Sequence, residues 1–220
     1  MLQFEKPVYK ITDSVESNFY GKFELEPLER GFGNTIGNAL RRVMLSSLPG
    51  SAISSIKIDG VLHEFQTIDG VYEDVATIIL NLKGVVIKNH TNGPKTLHLN
   101  ATEEGEVTAG DIESDPDVEI INKDKVIATL SKGGKLNMEI VVTNGRGYVD
   151  SEINKKLLDI KKPGVIAIDS SYSPIERVSY EVEPARVGQD ETYDKLVLEV
   201  WTNGSMKPEE AIALASRILI

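Results

Sequence analysis

Gly31, Gly33 and Gly37 open the run ERGFGNTIGNALRRVMLSSLPG (Glu29–Gly50), where the free N–H groups of a helix start can receive an anion. The spacing is GxGxxxG, not the dinucleotide GxGxxG, and no Lys-Ser/Thr pair follows as a phosphate loop needs. The glycines are therefore read as a tight turn, with a nucleotide-handling enzyme built on Gly31 and Gly33 kept as the alternative. His63-Glu64 starts like a zinc-protease HExxH, but the second histidine position holds Thr67. His90 and His98 fall in a different, β-rich stretch. Asp115, Asp117 and Glu119 alternate like cation ligands, yet Ile120 stands where a calcium loop needs glycine. No GxSxG elbow sets a serine beside a histidine base, and zero cysteines remove disulfides, thiolate metal sites and thiol nucleophiles. No catalytic residue, cofactor or metal is expected.

What the glycine-led segment does offer is contact. At about 100° per residue, Ile36, Ala39, Leu40, Val43, Met44 and Ser47 share one side of the predicted helix. Asn34, Asn38, Arg41 and Arg42 share the other, with Leu45 among them. Arginine beside an apolar side chain is the composition of an interface anchor; the plain alternative is an idle, solvated face. Asn34 is the expected N-cap, and Pro49-Gly50 stop the helix after Leu48.

The remaining elements must hold that helix. Asn18–Glu26 alternates like a strand with Phe19, Gly21, Phe23 and Leu25 on one face. Ile56–Ile58 and Val61–Phe65 flank Asp59-Gly60, a favoured hairpin turn. A second helix is predicted from Gly70 to Leu82, with Gly84 as its C′ residue. Short β-rich runs follow at Val85–Lys88, Thr96–Asn100, Val118–Ile121, Val126–Leu130, Lys135–Thr143 and Val165–Ile168. After Tyr172-Ser173-Pro174 come strands at Val178–Glu183 and Lys195–Trp201, then a helix from Pro208. From Ala211 to Ile220 only Ser216 and Arg217 are polar, more apolar width than one sheet covers. A partner copy, a wholly intrachain burial, or a helix cut short at Ile220 would each account for that.

Composition sets the class. With 220 residues, 40% hydrophobic, the chain can bury a substantial core. No stretch approaches a membrane span and MLQFEKPVYK lacks a signal peptide's apolar centre, so a cytoplasmic protein is expected. A net charge of −10 opposes general attraction to DNA. From Glu103 to Glu119 there are eight acids and no Lys or Arg, read as solvated surface. Lys155, Lys156, Lys161 and Lys162 around Leu157, Leu158 and Ile160 form a basic patch, read as a solvated loop with an apolar plug.

The segment Leu25–Gly50, with IDGVLHEF (Ile58–Phe65), EDVATIILNLKG (Glu73–Gly84), GRGYV (Gly145–Val149), YSPIERVSYEVEPARV (Tyr172–Val187) and DKLVLEVWTNGSMKPEEAI (Asp194–Ile212), resembles the amino-terminal domain of the bacterial RNA polymerase alpha subunit. The blocks run in that family's order along essentially the whole chain. The resemblance implies an α+β fold: an antiparallel sheet with two helices, built from residues 1–50 and 174–220 as a dimerisation domain, interrupted by a β-rich domain at 51–173. It implies a non-catalytic homodimeric scaffold in a nucleotidyltransferase, nucleating assembly by binding the beta and beta-prime subunits. Arg42 and Leu45 match beta-contacting positions, and Lys83 and Ile168 match positions linked to beta-prime. Ile36, Leu40, Val43, Met44, Ile212, Ala215, Ile218 and Leu219 are the expected dimer interface. A full family chain would continue into a small DNA-binding domain; from the region in hand no DNA contact is expected. A generic dimeric adaptor is the remaining alternative.

Overall fold

A computed structural model describes residues 8–14 and 19–220. Its strands are β1 (Val8–Ser14), β2 (Tyr20–Leu28), β3 (Pro49–Ile58), β4 (Ile87–Asn89), β5 (Lys95–Ala101), β6 (Gly105–Thr108), β7 (Val118–Ile120), β8 (Val126–Leu130), β9 (Leu136–Arg146), β10 (Tyr148–Val149), β11 (Val165–Ala167), β12 (Ser170–Ser171), β13 (Ile175–Val187) and β14 (Asp190–Thr202). The helices are α1 (Phe32–Ser47), α2 (Val75–Lys83), α3 (Ser151–Leu157) and α4 (Pro208–Leu219). Among the described residues all strand pairings are antiparallel, so the class is α+β. The chain divides into two compact units, Met1–Leu48 with Ser173–Ile220, and Pro49–Tyr172.

The unit made from the chain ends is a sheet ordered β1-β2-β14-β13. α1 and α4 contribute Leu40, Met44, Ala211 and Ala215 to a core shared with Phe23, Val178, Leu198 and Val200 of the strands. The buried line of α1 is Gly33, Gly37, Leu40 and Met44. This rotates the helix from the expected stripe, leaving Ile36, Ala39 and Val43 half-buried. Glycine carries no hydrophobic signal, yet it decides the packing. A Cβ on Gly37 would stand 2.6 Å from the Tyr180 ring and 2.9 Å from Leu196, so α1 sits closer to the sheet than any larger residue allows. In β2, Gly21 and Phe23 are buried as the alternation requires, while Leu25 is half-buried; Asn18 lies outside the described residues.

The other unit has a sheet ordered β11-β3-β9-β5, with smaller ladders β4–β7, β6–β8 and β10–β12. Its core includes Ile56, Ile78, Leu82, Leu99, Ile127, Leu136 and Ile140. Four local expectations change here. Asp59-Gly60 does not join a hairpin: Val61–Phe65 is irregular, and β3 pairs with β9 and β11. α2 starts at Val75 because residues 70–73 are tied to β8. The Tyr72 N–H donates to Thr129 O, and the Glu73 carboxylate accepts from the Thr129 N–H and hydroxyl. Asp74 then caps the helix by accepting from the Thr77 N–H at 2.8 Å. Gly84 closes α2 in a right-handed conformation, φ −85°, and not as a left-handed C′ glycine.

The basic segment is the fourth correction. Lys155, Lys156 and Leu157 end α3, which Asp150 caps, while Lys161 and Lys162 lie beyond it; of the expected plug Leu157 is 72% exposed, and Leu158 and Ile160 are half-buried. A buried amide anchors the helix. Asn154 Nδ2 donates to Ile168 O at 2.8 Å and to Ser170 Oγ at 2.9 Å.

Candidate protein-contact surfaces

At the start of α1, Gly31 (φ 91°) is the N-cap, and not Asn34, which is exposed. The Gly31 and Gly33 N–H groups both donate to Asp194 Oδ2 of β14, at 2.8 and 3.2 Å. The donors that a phosphate would need are thus satisfied internally, by a carboxylate that repels anions. This geometry argues against the nucleotide-handling alternative.

Further along α1, Asn38, Arg41 and Arg42 are exposed. Leu45 departs from the expected polar face: it is half-buried and packs against the core of its unit. With the buried line centred on Gly37, Leu40 and Met44, Leu45 lies at the margin of the core-facing side. Arg42 is free to reach another molecule, whereas Leu45 has only part of its surface to offer.

Of the residues expected to dimerise, Leu40 (6% exposed), Met44 (0%) and Ala215 (0%) are buried within their own unit. They fill the space between helices and sheet, and their surface is already removed from water. Ile36, Val43 and Ile212 remain half-buried. Ile218 and Leu219 are 44% and 46% exposed, at the free end of α4.

Lys83 and Ile168 have contrasting positions. Ile168 is 3% exposed and belongs to the core, so it cannot be a direct contact. Lys83 is exposed at the end of α2, with Nζ 2.7 Å from Asp169 Oδ2. Asp169 Oδ1 accepts from the Ser151 N–H at 2.9 Å, at the first turn of α3. The hydrogen bond from Lys83, joined by that from Ser151, holds the Asp169 carboxyl below the ordinary carboxylate range. Burial, then the bond to Asp169, raises the Tyr148 phenol above its ordinary value. Lys83, Tyr148 and the start of α3 are thus joined through one carboxylate, the neighbour of Ile168.

The family described as the RNA polymerase Rpb3/RpoA insert domain matches residues 56–173. The DNA-directed RNA polymerase subunit alpha of Desulforamulus reducens is 58% identical over 219 residues, covering 100% of this chain and 69% of that protein. The chain belongs to the DNA-directed RNA polymerase alpha-subunit family. The alpha subunits of Symbiobacterium thermophilum and Clostridium perfringens are 57% and 56% identical, again across 100% of this chain and 69% of theirs.

This alpha-family chain has further exposed apolar residues that the sequence pattern did not single out. Leu62 (68%), Phe65 (82%) and Tyr72 (76%) lie between β3 and α2, and Leu80 (65%) lies on α2. Phe65 lies beside His63, ring centroids 6.5 Å apart. Large apolar groups left this open on an otherwise well-buried unit have the character of contact surface. The signal was there: the expected hairpin would have hidden Phe65 or Leu62, and its absence exposes both. No described helix is long and apolar enough to cross a membrane.

Proposed function

We propose that the chain is a homodimeric scaffold which nucleates the assembly of DNA-directed RNA polymerase in the cytoplasm, holding the two large subunits and performing no chemistry itself. The observation that carries this reading is the 58% identity with an alpha subunit along 100% of the chain. Residues 1–50 with 174–220 act as the dimerisation domain and 51–173 as the inserted domain. Two copies join through Ile218 and Leu219, with Ile36, Val43 and Ile212 at the edge of the same contact. Arg42, supported by the partly open Leu45, meets the beta subunit. Lys83 meets beta-prime, and Ile168 acts on that contact indirectly by fixing the backbone next to Asp169.

Symmetry supports this division. Both copies carry both surfaces before assembly, but beta and beta-prime differ, so each surface is used once in the final complex. The test is parallel reconstitution of wild type, Arg42→Ala and Lys83→Ala with purified beta and beta-prime. Arg42→Ala should lose affinity for beta by about thirtyfold, as for an interface anchor, with the dimer intact. Lys83→Ala should spare beta capture and weaken the beta-prime step. Undiminished assembly by both variants would refute the assignment.

A further inference from the structure

The tripeptide Thr-Asn-Gly occurs three times in the chain, at 91–93, 143–145 and 202–204. An asparagine before glycine can cyclise, because a following residue without a Cβ lets its amide nitrogen reach the side-chain carbonyl carbon. The copies are alike in sequence, so only their settings in the fold separate them. Asn144 is held at both ends of its side-chain amide: Nδ2 donates to Thr91 O at 2.7 Å and to Asn89 O at 3.2 Å, and Oδ1 accepts from Ser51 Oγ at 2.7 Å. It also lies in β9, where Gly145 faces Gly50 of β3 in an extended ladder. At Asn203, Oδ1 accepts from the Ser205 N–H and hydroxyl at 3.0 and 2.6 Å. The Gly204 N–H, whose nitrogen would have to attack, donates to Thr202 Oγ1 at 3.2 Å. Asn92 has neither restraint. Asn92 and Gly93 are exposed in the turn between β4 and β5, and among the described residues no hydrogen bond engages the Asn92 side chain or the Gly93 N–H. A Cβ built on Gly93 would meet nothing within 4 Å, so the nitrogen has room to turn.

We propose that Asn92 is a site of spontaneous deamidation, the copy of the three that the fold leaves able to react. The Gly93 nitrogen loses its proton and attacks Asn92 Cγ; an N–C bond forms, the Cγ–Nδ2 bond breaks, and the amide leaves as ammonia. Water then opens the five-membered ring, giving its hydroxyl to a carbonyl carbon and its proton to the nitrogen. Attack at Cγ yields aspartate. Attack at the main-chain carbonyl carbon yields isoaspartate, whose backbone runs through Cγ. Nothing is oxidised or reduced. Either product adds one negative charge, and isoaspartate lengthens the main chain of the turn by one carbon. The turn is tied on both sides of the reacting bond: Asn89 Nδ2 donates to Gly93 O at 3.0 Å, and Asn144 Nδ2 to Thr91 O at 2.7 Å. The isoaspartate form should therefore disturb these bonds and melt at a lower temperature than the parent. This inference stands independently of the scaffold reading.

The experiment incubates the whole chain, folded and in denaturant, at neutral and at mildly alkaline pH. Peptide mass spectrometry follows aspartate and isoaspartate at each of the three asparagines. In the folded chain, product at 92 is expected to form an order of magnitude faster than at 144 or 203. It should form faster at the higher pH, because the attacking nitrogen must lose its proton. In denaturant the three sites should react at similar rates, since the same tripeptide then meets the same solvent. Gly93→Ala, whose Cβ crowds the attacking nitrogen, should slow the reaction at 92 and leave 144 and 203 as they were; its melting temperature confirms that it folds. Asn92 remaining intact in the folded wild type, or 144 or 203 keeping pace with it there, would overturn the inference.

Discussion

Ile168 and Lys83 would fail in different ways. Ile168 is enclosed in the core, so Ile168→Ala should cost about 2–4 kcal/mol of stability, read by chemical denaturation, with any assembly defect following from that loss. Lys83 is partly exposed and its ion pair is screened, so Lys83→Ala should cost no more than about 1 kcal/mol. Asp169 links the two by acidity. Its carboxyl is held below the ordinary range by Lys83 and Ser151, so the charged form favours the folded state. The resulting stability is complete above the ordinary carboxylate pKa of ~3.9 and is lost as pH falls through the lower folded value. The melting temperature of wild type should therefore exceed that of Asp169→Asn near neutrality, the gap closing as pH falls below the ordinary carboxylate pKa of ~3.9 and through the lower folded value. A gap constant across that window would mean the carboxylate does not carry the linkage.

Helix α1 shows what spacing reveals and what it hides. Its C-terminal end was legible, since Pro49 is a local signal, and so was its general amphipathic character; its start was misplaced, because Gly31 and not Asn34 is the N-cap. Its rotation was not legible, because the contact with β13 and β14 runs through Gly33 and Gly37, invisible on a hydrophobic scale. Gly37→Ala should consequently destabilise by about 1–3 kcal/mol, the usual cost of overpacking, although alanine raises helix propensity. Leu45→Ala, read only from the polar face, would leave the fold untouched; half-buried against the core, it should cost about 1 kcal/mol, while Arg42→Ala stays within about 0.5 kcal/mol. Thermal melts of the three variants order these effects. The strand runs were legible through alternation and β-branched composition. The start of α2, the failed hairpin at Asp59-Gly60 and the whole of α3 were not, since each is decided by distant partners: Thr129, β9 and Ile168. At the candidate contacts, the helix face marked Arg42 and the family resemblance marked Lys83, but the link from Lys83 to Asp169 needs the fold to bring residues 86 positions apart together.

At the scale of the molecule, each unit has its own buried cluster. Residues 49–172 expressed alone should therefore melt cooperatively with dispersed amide signals; a random-coil spectrum would show that the core depends on the rest of the chain. In the other unit, Ile218 and Leu219 of α4 are open to water. An Ile218→Asp change would place a charge in the proposed contact and should yield monomer, detected by sedimentation, because a buried unpaired carboxylate costs several kcal/mol. The central claim joins these surfaces: two identical chains present one platform to one beta subunit. Its most direct test is the mass of the complex formed by this chain and purified beta, measured by analytical ultracentrifugation at micromolar concentration. The account predicts one beta with two copies of the 24.2 kDa chain; a complex with a single copy, or no complex beside a stable monomer, would contradict it.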